Sequence, residues 1–230
     1  MLISIILPIH NQSDHIREIV QGYLDIMPDL VANYEFILVP NACTDDSQIV
    51  CQMIADANAN IKVVATEKAG WGNAVKLGLG AATGDLICYT NSARTSPQIL
   101  RQIIEYSLAV PNVVVKANRK IRDSLRRRLG SLLYNLECRM LFDSPVWDIN
   151  GTPKVFPRQF KPLLNLSRGD DLIDAEFIAI CRKNDYPILE VPILSTKRHS
   201  GKSTTNYNSA LKMYIGAYGL WQQFKKEKPV

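Results

Sequence analysis

Apolar residues recur along the chain in two rhythms. Leu2–Leu7 is an apolar run, polar only at Ser4 and stopped by Pro8, the pattern of a strand buried on both faces. From Ile16 the period lengthens: Ile16, Ile19, Val20, Tyr23, Leu24 and Met27 form one helical stripe, with Ser13 or Asp14 placed to cap it. The alternation then repeats. Strands are predicted at Glu35–Val39, Lys62–Ala65, Asp85–Tyr89 and Val113–Lys116. Helices are predicted from Thr44 and Ser47 to Ala57, from Gly72 to Ala82, and from Ser96-Pro97 onward, proline being favourable in a first turn. Strands and helices that alternate with short connections imply parallel strands joined by right-handed crossovers. Such sheets bind ligands beyond their strand carboxyl ends. The segments to watch are therefore Pro8–Gln12, Pro40–Asp46 and Thr90–Arg94.

The second half is less regular. Arg122–Leu141 reads as one long helix, with Leu125, Leu129, Leu132, Leu133, Leu136 and Met140 along one face. Arg119, Lys120, Arg122, Arg126, Arg127 and Arg128 crowd its start. Trp147–Phe156 is loop and short strand, Asp171–Asn184 a helix, and Ile188–Ile193 a strand. Ser195–Tyr207 is a polar, basic loop. Ser209–Phe224 is a final helix carrying Leu211, Tyr214, Ile215, Tyr218, Trp221 and Phe224 on a wide apolar face. A basic amphipathic helix lies on an anionic membrane surface, collects a lipid phosphate, or packs on the core with a solvated charged end. The last helix suits membrane contact or a homodimer interface. No repeat or linker divides the 230 residues, so a single domain is expected.

Composition narrows the field. Hydrophobic residues make up 47% and charged residues 21%, a globular balance, and the net charge of +5 is mild. The five cysteines form no C-x-x-C pair and His10, His15 and His199 are scattered, so reduced thiols and no zinc site are expected. The apolar start lacks a basic n-region and no stretch reaches the length of a membrane span, which points to a cytoplasmic protein, with peripheral contact at the inner membrane face as the further expectation. Aromatic and basic residues lie on separate segments and no nucleic-acid motif occurs, so nucleic acid is not an expected partner. Gly201-Lys202-Ser203 resembles the end of a phosphate loop, but Thr196 stands where that loop needs glycine. Gly70-Trp71-Gly72 could open a dinucleotide fingerprint, but Val75 stands at the third glycine position.

One ordered series remains: Pro8-Ile-His10-Asn11-Gln12, Pro40-Asn41 with Thr44-Asp45, Lys68-Ala-Gly70-Trp-Gly72-Asn73-Ala74, Thr90-Asn91-Ser92, Asp148-Ile-Asn150-Gly151, Asp174-Ala-Glu176, and Arg198-His-Ser-Gly201-Lys202-Ser203. This order and spacing resembles family 2 glycosyltransferases of the GT-A fold, in particular the dolichyl- or polyprenyl-phosphate mannosyltransferase-like branch. The resemblance spans about residues 2 to 205 and rests on the series rather than on any single motif. It implies an α/β fold, a Rossmann-like, mostly parallel sheet flanked by helices with C-terminal amphipathic helices. Residues 1–118 would form the nucleotide-binding half and 119–230 the acceptor- or lipid-facing half. It implies a nucleoside-diphosphate sugar donor, inverting transfer, a base and ribose pocket lined by Pro8, Asn11 and Gln12, and further substrate-binding residues at His10, Asn41, Lys68, Gly72, Asn73, Thr90, Asn91 and Ser92. Arg119 follows its strand as the family's lipid-phosphate arginine does, so a lipid-phosphate acceptor is implied. Asp148 matches the first residue of the family's D-x-x-S-G-F-R segment, as a general base for a hydroxyl acceptor or an orienting group for a phosphate; Lys154 stands at that segment's arginine. Asp174 and Glu176 are supporting groups or structural carboxylates.

The departures concern the metal. Pro40 and Asn41 replace the family's paired aspartates, Gln12 replaces glutamate, and Thr90, Asn91 and Ser92 replace D-x-D. Mg²⁺ and Mn²⁺ prefer anionic oxygens, so neutral hydroxyls and amides hold them poorly. No metal ligand set and no cofactor are expected, although this leaves Mg²⁺ or Mn²⁺ open. Arg94, two residues past Ser92, is the expected substitute charge for the leaving diphosphate, with Arg198 and Lys202 closing from the basic loop. Two alternatives stand beside the transferase: a degenerate GT-A protein with a binding or regulatory role, and a nucleotidyltransferase. The latter needs a glycine-rich loop after its first strand, which His10–Asp14 lacks.

Overall fold

A computed structural model describes residues 1–30, 32–120, 125–194 and 207–226, with backbone alone at 125–129 and 207–210. Seven strands form one sheet: β1 (Leu2–Ile9), β2 (Asn33–Pro40), β3 (Ile61–Val63), β4 (Leu86–Tyr89), β5 (Val114–Arg119), β6 (Lys154–Pro157) and β7 (Ile188–Ile193), in the order β3-β2-β1-β4-β6-β5-β7. β1 runs parallel to β2 and β4, and β5 parallel to β7. β6 alone is reversed, antiparallel to both β4 and β5. Its first residue, Lys154, therefore sits level with Tyr89, where β4 ends, and with Lys116 within β5.

The helices are α1 (Ile16–Ile26), α2 (Ser47–Asp56), α3 (Trp71–Ala81), α4 (Pro97–Ala109), α5 (Leu125–Phe142), α6 (Ile173–Lys183) and α7 (Tyr207–Lys226). One core layer joins Ile3, Ile5, Leu7 and Ile9 to the buried sides of α1, α2 and α4. The other joins Ile6, Ile37 and Val39 to α3, α5, α6 and α7. The sheet is thus covered on both faces, which is why its strands read as continuous apolar runs.

Ser96 caps α4 as its sequence predicts, accepting from Ile99 N–H at 3.3 Å. Neither Ser13 nor Asp14 caps α1: its N-cap is His15, whose ring bonds the Asp14 carboxylate rather than the helix N–H groups. Ser13 instead donates its N–H to Asp45. The leucine stripe of α5 also departs from a core-packed reading. Tyr134, Cys138 and Phe142 turn inward, while Leu132, Leu133, Leu136 and Met140 are exposed. On α7, Leu211, Ile215 and Tyr218 are likewise exposed. Among the described residues no helix is long and apolar enough to cross a membrane.

The amino edge of the sheet is tied by Glu35. It accepts from Ser4 Oγ at 2.5 Å and from Thr83 N and Oγ1 at 2.8 Å, and pairs with Lys62 at 2.8 Å. Burial alone would raise its pKa, but the bonds from Lys62, Ser4 and Thr83 outweigh it and bring the value from 4.5 down to about 2. A depressed folded pKa contributes stability that is present above the unfolded value and is lost as pH falls through the folded one. Glu35→Gln should cost about 1–3 kcal/mol at neutral pH, because the donors from Ser4, Thr83 and Lys62 lose their anionic acceptor. The difference from wild type should shrink between pH 4.5 and about 2 in urea unfolding. A gap that stays constant over that range contradicts the assignment.

Candidate active site

The carboxyl edge collects the residues singled out in the sequence. After β1 and β2 the chain turns sharply, with φ of +50° at Asn11 and +45° at Ala42. Asparagine tolerates this conformation and alanine tolerates it poorly, so the second turn is held by its surroundings. Asn11 clamps the two turns together: its Oδ1 accepts from Thr44 N at 2.8 Å and its Nδ2 donates to Thr44 Oγ1 at 3.1 Å. Asn41 is buried; its Nδ2 donates to Ile9 O at 2.7 Å, and its own carbonyl bonds His10 Nδ1 at 2.8 Å. Below them Gln12 N–H donates to Ser47 Oγ at 2.7 Å, and Ser47 Oγ donates to Asp45 at 2.5 Å. His10 and Asn11 are exposed, whereas Pro8 and Gln12 are buried.

The Thr90–Ser92 segment is turned into the protein. Thr90 and Ser92 are fully buried. The Thr90 hydroxyl bonds the Thr95 hydroxyl at 2.7 Å. The Ser92 hydroxyl donates to Gln12 Oε1 at 2.9 Å, with Pro8 O at 3.3 Å. Asn91 Oδ1 accepts from Ala93 N–H at 3.1 Å. These groups satisfy one another, and none is a carboxylate. Among the described residues no group of three or more His, Cys, Asp or Glu could hold a metal ion. The donor set at this position does not fit a hard divalent cation. Arg94, half-buried, follows on the same turn, its N–H bonded to Asn91 O at 3.0 Å.

Lys68, exposed, and the start of α3 lie on the β3 side. There Asn73 N–H donates to Gly169 O at 3.0 Å. A Cβ on Gly72 would meet the backbone oxygens of Arg168 and Asp170 at 2.6 Å. The glycine therefore admits the 168–170 loop against α3, a packing reason for part of the pattern that resembled a dinucleotide fingerprint. Glu176 holds that loop by accepting from Ser167 N and Arg168 N at 2.8 and 2.9 Å.

On the other side of β4 lies a buried cluster of three cations and three anions: Lys116, Arg119 and Lys154 with Asp148, Asp174 and Glu190. Arg119 grips Asp148 with two parallel bonds, Nε to Oδ2 at 2.7 Å and Nη2 to Oδ1 at 2.8 Å, and adds its own N–H to Oδ2 at 3.0 Å. Such bidentate pairs fix orientation as well as charge. Burial would lower the pKa of Arg119, but Asp148, by charge and hydrogen bond, raises it above the ordinary value. Lys154 is wholly buried, bonds Asp174, and lies 5.3 Å from the Tyr89 ring centre. Burial pushes its ammonium down to about 8; Asp174 pulls it up, and Lys116 across the strand pair pushes it down. Tyr89 Oη donates to the same Asp174 oxygen at 2.9 Å.

Pro8, His10, Asn11, Gln12, Asn41, Thr90, Asn91, Ser92, Arg94, Arg119 and Asp148 thus share one sheet edge. Arg198, Lys202 and Ser203 lie outside the described residues, as do the side chains of Arg122, Arg126, Arg127 and Arg128. Lys116 and Glu190 were not singled out in the sequence. The available signal was a lysine at the end of an apolar strand and a glutamate inside another.

Comparison with known proteins fits this arrangement. Residues 4–159 match the model of "Glycosyl transferase family 2". The undecaprenyl-phosphate 4-deoxy-4-formamido-L-arabinose transferase of Sodalis glossinidius (strain morsitans) is 22% identical over 87% of this chain and 62% of its own length. That of Klebsiella pneumoniae (strain 342) is 21% identical over 89% and 63%. The chain therefore spans less than two thirds of these relatives. Among solved structures, glucosyl-3-phosphoglycerate synthase from Mycobacterium tuberculosis, in complex with Mn²⁺, uridine diphosphate and phosphoglyceric acid, superposes with a TM-score of 0.72 at 17% identity. That match covers 96% of this chain and 78% of the synthase. With its three-layer fold, its ordered strand-end motifs and a family match over most of its length, the chain belongs to glycosyltransferase family 2.

Proposed function

We propose that this protein transfers a glycosyl group from a nucleoside-diphosphate sugar to a polyprenyl phosphate, without a metal held by its own carboxylates. The observation that carries this reading is the meeting, at one sheet edge, of the strand-end turns at Asn11, Asn41 and Thr90–Arg94 with the Arg119–Asp148 pair. The relatives named for undecaprenyl-phosphate sugar transfer support the acceptor class.

An oxygen of the acceptor phosphate attacks the anomeric carbon. The bond from that carbon to the donor's diphosphate breaks, and the nucleoside diphosphate leaves with the electron pair. The acceptor is already anionic, so no base is needed to activate it. What the reaction needs is charge at the leaving diphosphate and a held acceptor. Arg94 supplies the first, and Arg119, aligned by Asp148, supplies the second. The exposed leucine face of α5 and the apolar face of α7 fit a membrane surface beside such an acceptor.

A binding or regulatory protein is the second reading. It is favoured by one observation: Thr90 and Ser92 spend their hydroxyls on Thr95 and Gln12. Thermal unfolding with UDP, GDP, CDP, ADP and dTDP, each in Mn²⁺ and in EDTA, tests the donor half of the proposal. A ligand at 100 times its Kd adds about 2.7 kcal/mol, a rise of roughly 5–10 °C for a chain of this size. One nucleotide should give such a shift in EDTA, and Arg94→Ala should reduce it. A shift that requires Mn²⁺, or none with any nucleotide, counts against the proposal.

A further inference from the structure

We infer that Glu190 is a positioning residue for the acceptor site, acting through Asp148 on the Arg119 guanidinium. The inference rests on the acceptor reading above, and no motif in the sequence pointed to it.

Four donors, two from β5 and two from the 147–148 turn, converge on this one carboxylate. Oε1 accepts from Lys116 Nζ at 2.9 Å and from Asp148 N–H at 3.0 Å. Oε2 accepts from Trp147 N–H at 2.8 Å and from Asn118 Nδ2 at 3.3 Å. Glu190 therefore holds the peptide groups of Trp147 and Asp148, not the Asp148 side chain. Lys116 fastens the same turn from the other direction, donating to Asp148 O at 2.5 Å. With the peptide N–H and carbonyl both fixed, the Asp148 carboxylate has little freedom except to face Arg119. It does so with both oxygens.

β7 thus reaches across β5 to set a loop that neither strand contains. A merely structural ion pair needs only Lys116 and Glu190. The two backbone N–H groups that Glu190 also accepts come from the residues that carry the Arg119 partner. Glutamine is nearly the same shape but can accept at one oxygen only. In Glu190→Gln two of the four donors would face an NH₂ group, and Lys116 would lose its countercharge. The turn would then drift, and Arg119 with it.

The test measures two affinities on the full chain. Farnesyl phosphate is titrated by calorimetry into wild type, Glu190→Gln and the double variant Lys116→Met/Glu190→Gln. The stabilising nucleotide is titrated in parallel. The double variant removes the unpaired buried lysine together with its bond to Asp148 O, so it restores charge balance while leaving the turn unheld. The account predicts at least a tenfold weaker farnesyl phosphate affinity in both variants, with nucleotide affinity unchanged within about twofold, a tenfold change being about 1.4 kcal/mol. It also predicts that the double variant regains thermal stability without regaining that affinity.

Wild-type farnesyl phosphate affinity in a folded Glu190→Gln, or its full recovery in the double variant, overturns the positioning role and leaves the acceptor reading intact. Failure of the wild type itself to bind farnesyl phosphate overturns the acceptor reading, and this inference with it.

Discussion

Replacing Lys154 by methionine is expected to cost about 3–5 kcal/mol, the usual cost of removing one partner from a buried ion pair. For a chain of this size that is a fall of roughly 6–20 °C in Tm. The reason is local. Lys154 has no exposed surface, and its countercharge Asp174 is only 4% exposed. Without the ammonium, Asp174 keeps the Tyr89 hydroxyl but carries an uncompensated buried charge. The double variant Lys154→Met/Asp174→Asn removes both charges while leaving an oxygen for Tyr89. It should recover most of the loss, because a buried pair replaced as a unit is often close to neutral. Calorimetric melting of the three proteins checks this. A single variant that melts with wild type would mean that water reaches the cluster and that its charges are screened.

The second large effect is expected at Gly151. A Cβ there would lie 2.0 Å from Ala117 O and 3.0 Å from Asp148 Oδ2. β5 cannot yield, because Ala117 N–H is bonded to Pro153 O at 2.9 Å and the strand is paired with β7 along its length. The 148–151 turn must move instead, and it carries the Arg119 partner. Gly151→Ala should therefore lower stability by about 3 kcal/mol through overpacking. It should also lower transfer by about a hundredfold, the scale of a 1 Å misplacement of a positioning group. Nucleotide binding, on the β1–β2 side, should survive. Transfer at the wild-type rate in Gly151→Ala would show that the turn adjusts without moving Asp148, and would remove it from the acceptor site.

Much of the fold is legible because the strands are buried on both faces. Leu2–Leu7 and Asp85–Tyr89 announce themselves as apolar runs, and the stripe at Ile16–Met27 can only be helical. The failures have physical causes. A side chain near a helix start can cap it or bond elsewhere, and the two candidates before α1 show the second outcome: Asp14 bonds the His15 ring, and Ser13 joins the β1 turn to Asp45. Periodicity identifies an apolar face but not what it meets, so the stripe of α5 gives no sign that Leu132, Leu136 and Met140 would be left exposed. Strand direction is also invisible in a four-residue run such as Lys154–Pro157. The reversal of β6 is what brings Lys154 beside Tyr89 and Lys116.

The candidate site divides in the same way. Its nucleotide side is local: Asn11, Asn41 and Ser92 each follow a strand, and position alone marks them. Its acceptor side is not. Glu190 lies 42 positions beyond the Asp148 N–H that it accepts, and Lys116 lies 32 before the Asp148 carbonyl that it donates to. Charges that pair across the sheet have no spacing rule, so only the folded chain brings Lys116, Asp148 and Glu190 together. The missing carboxylates were legible as an absence. Where their replacements point was not: Thr90 and Ser92 face inward to Thr95 and Gln12.

The most direct test of the account is transfer itself, in the absence of metal. Purified full chain is incubated in EDTA with undecaprenyl phosphate in detergent and with sugar conjugates of the nucleotide that stabilises it. Product is read by mass spectrometry as glycosyl undecaprenyl phosphate, together with the released nucleoside diphosphate. The account predicts both products in equal amounts, undiminished by EDTA and lost in Arg94→Ala. Product that forms only when Mn²⁺ is restored, or nucleotide binding with no product under any condition, would contradict it.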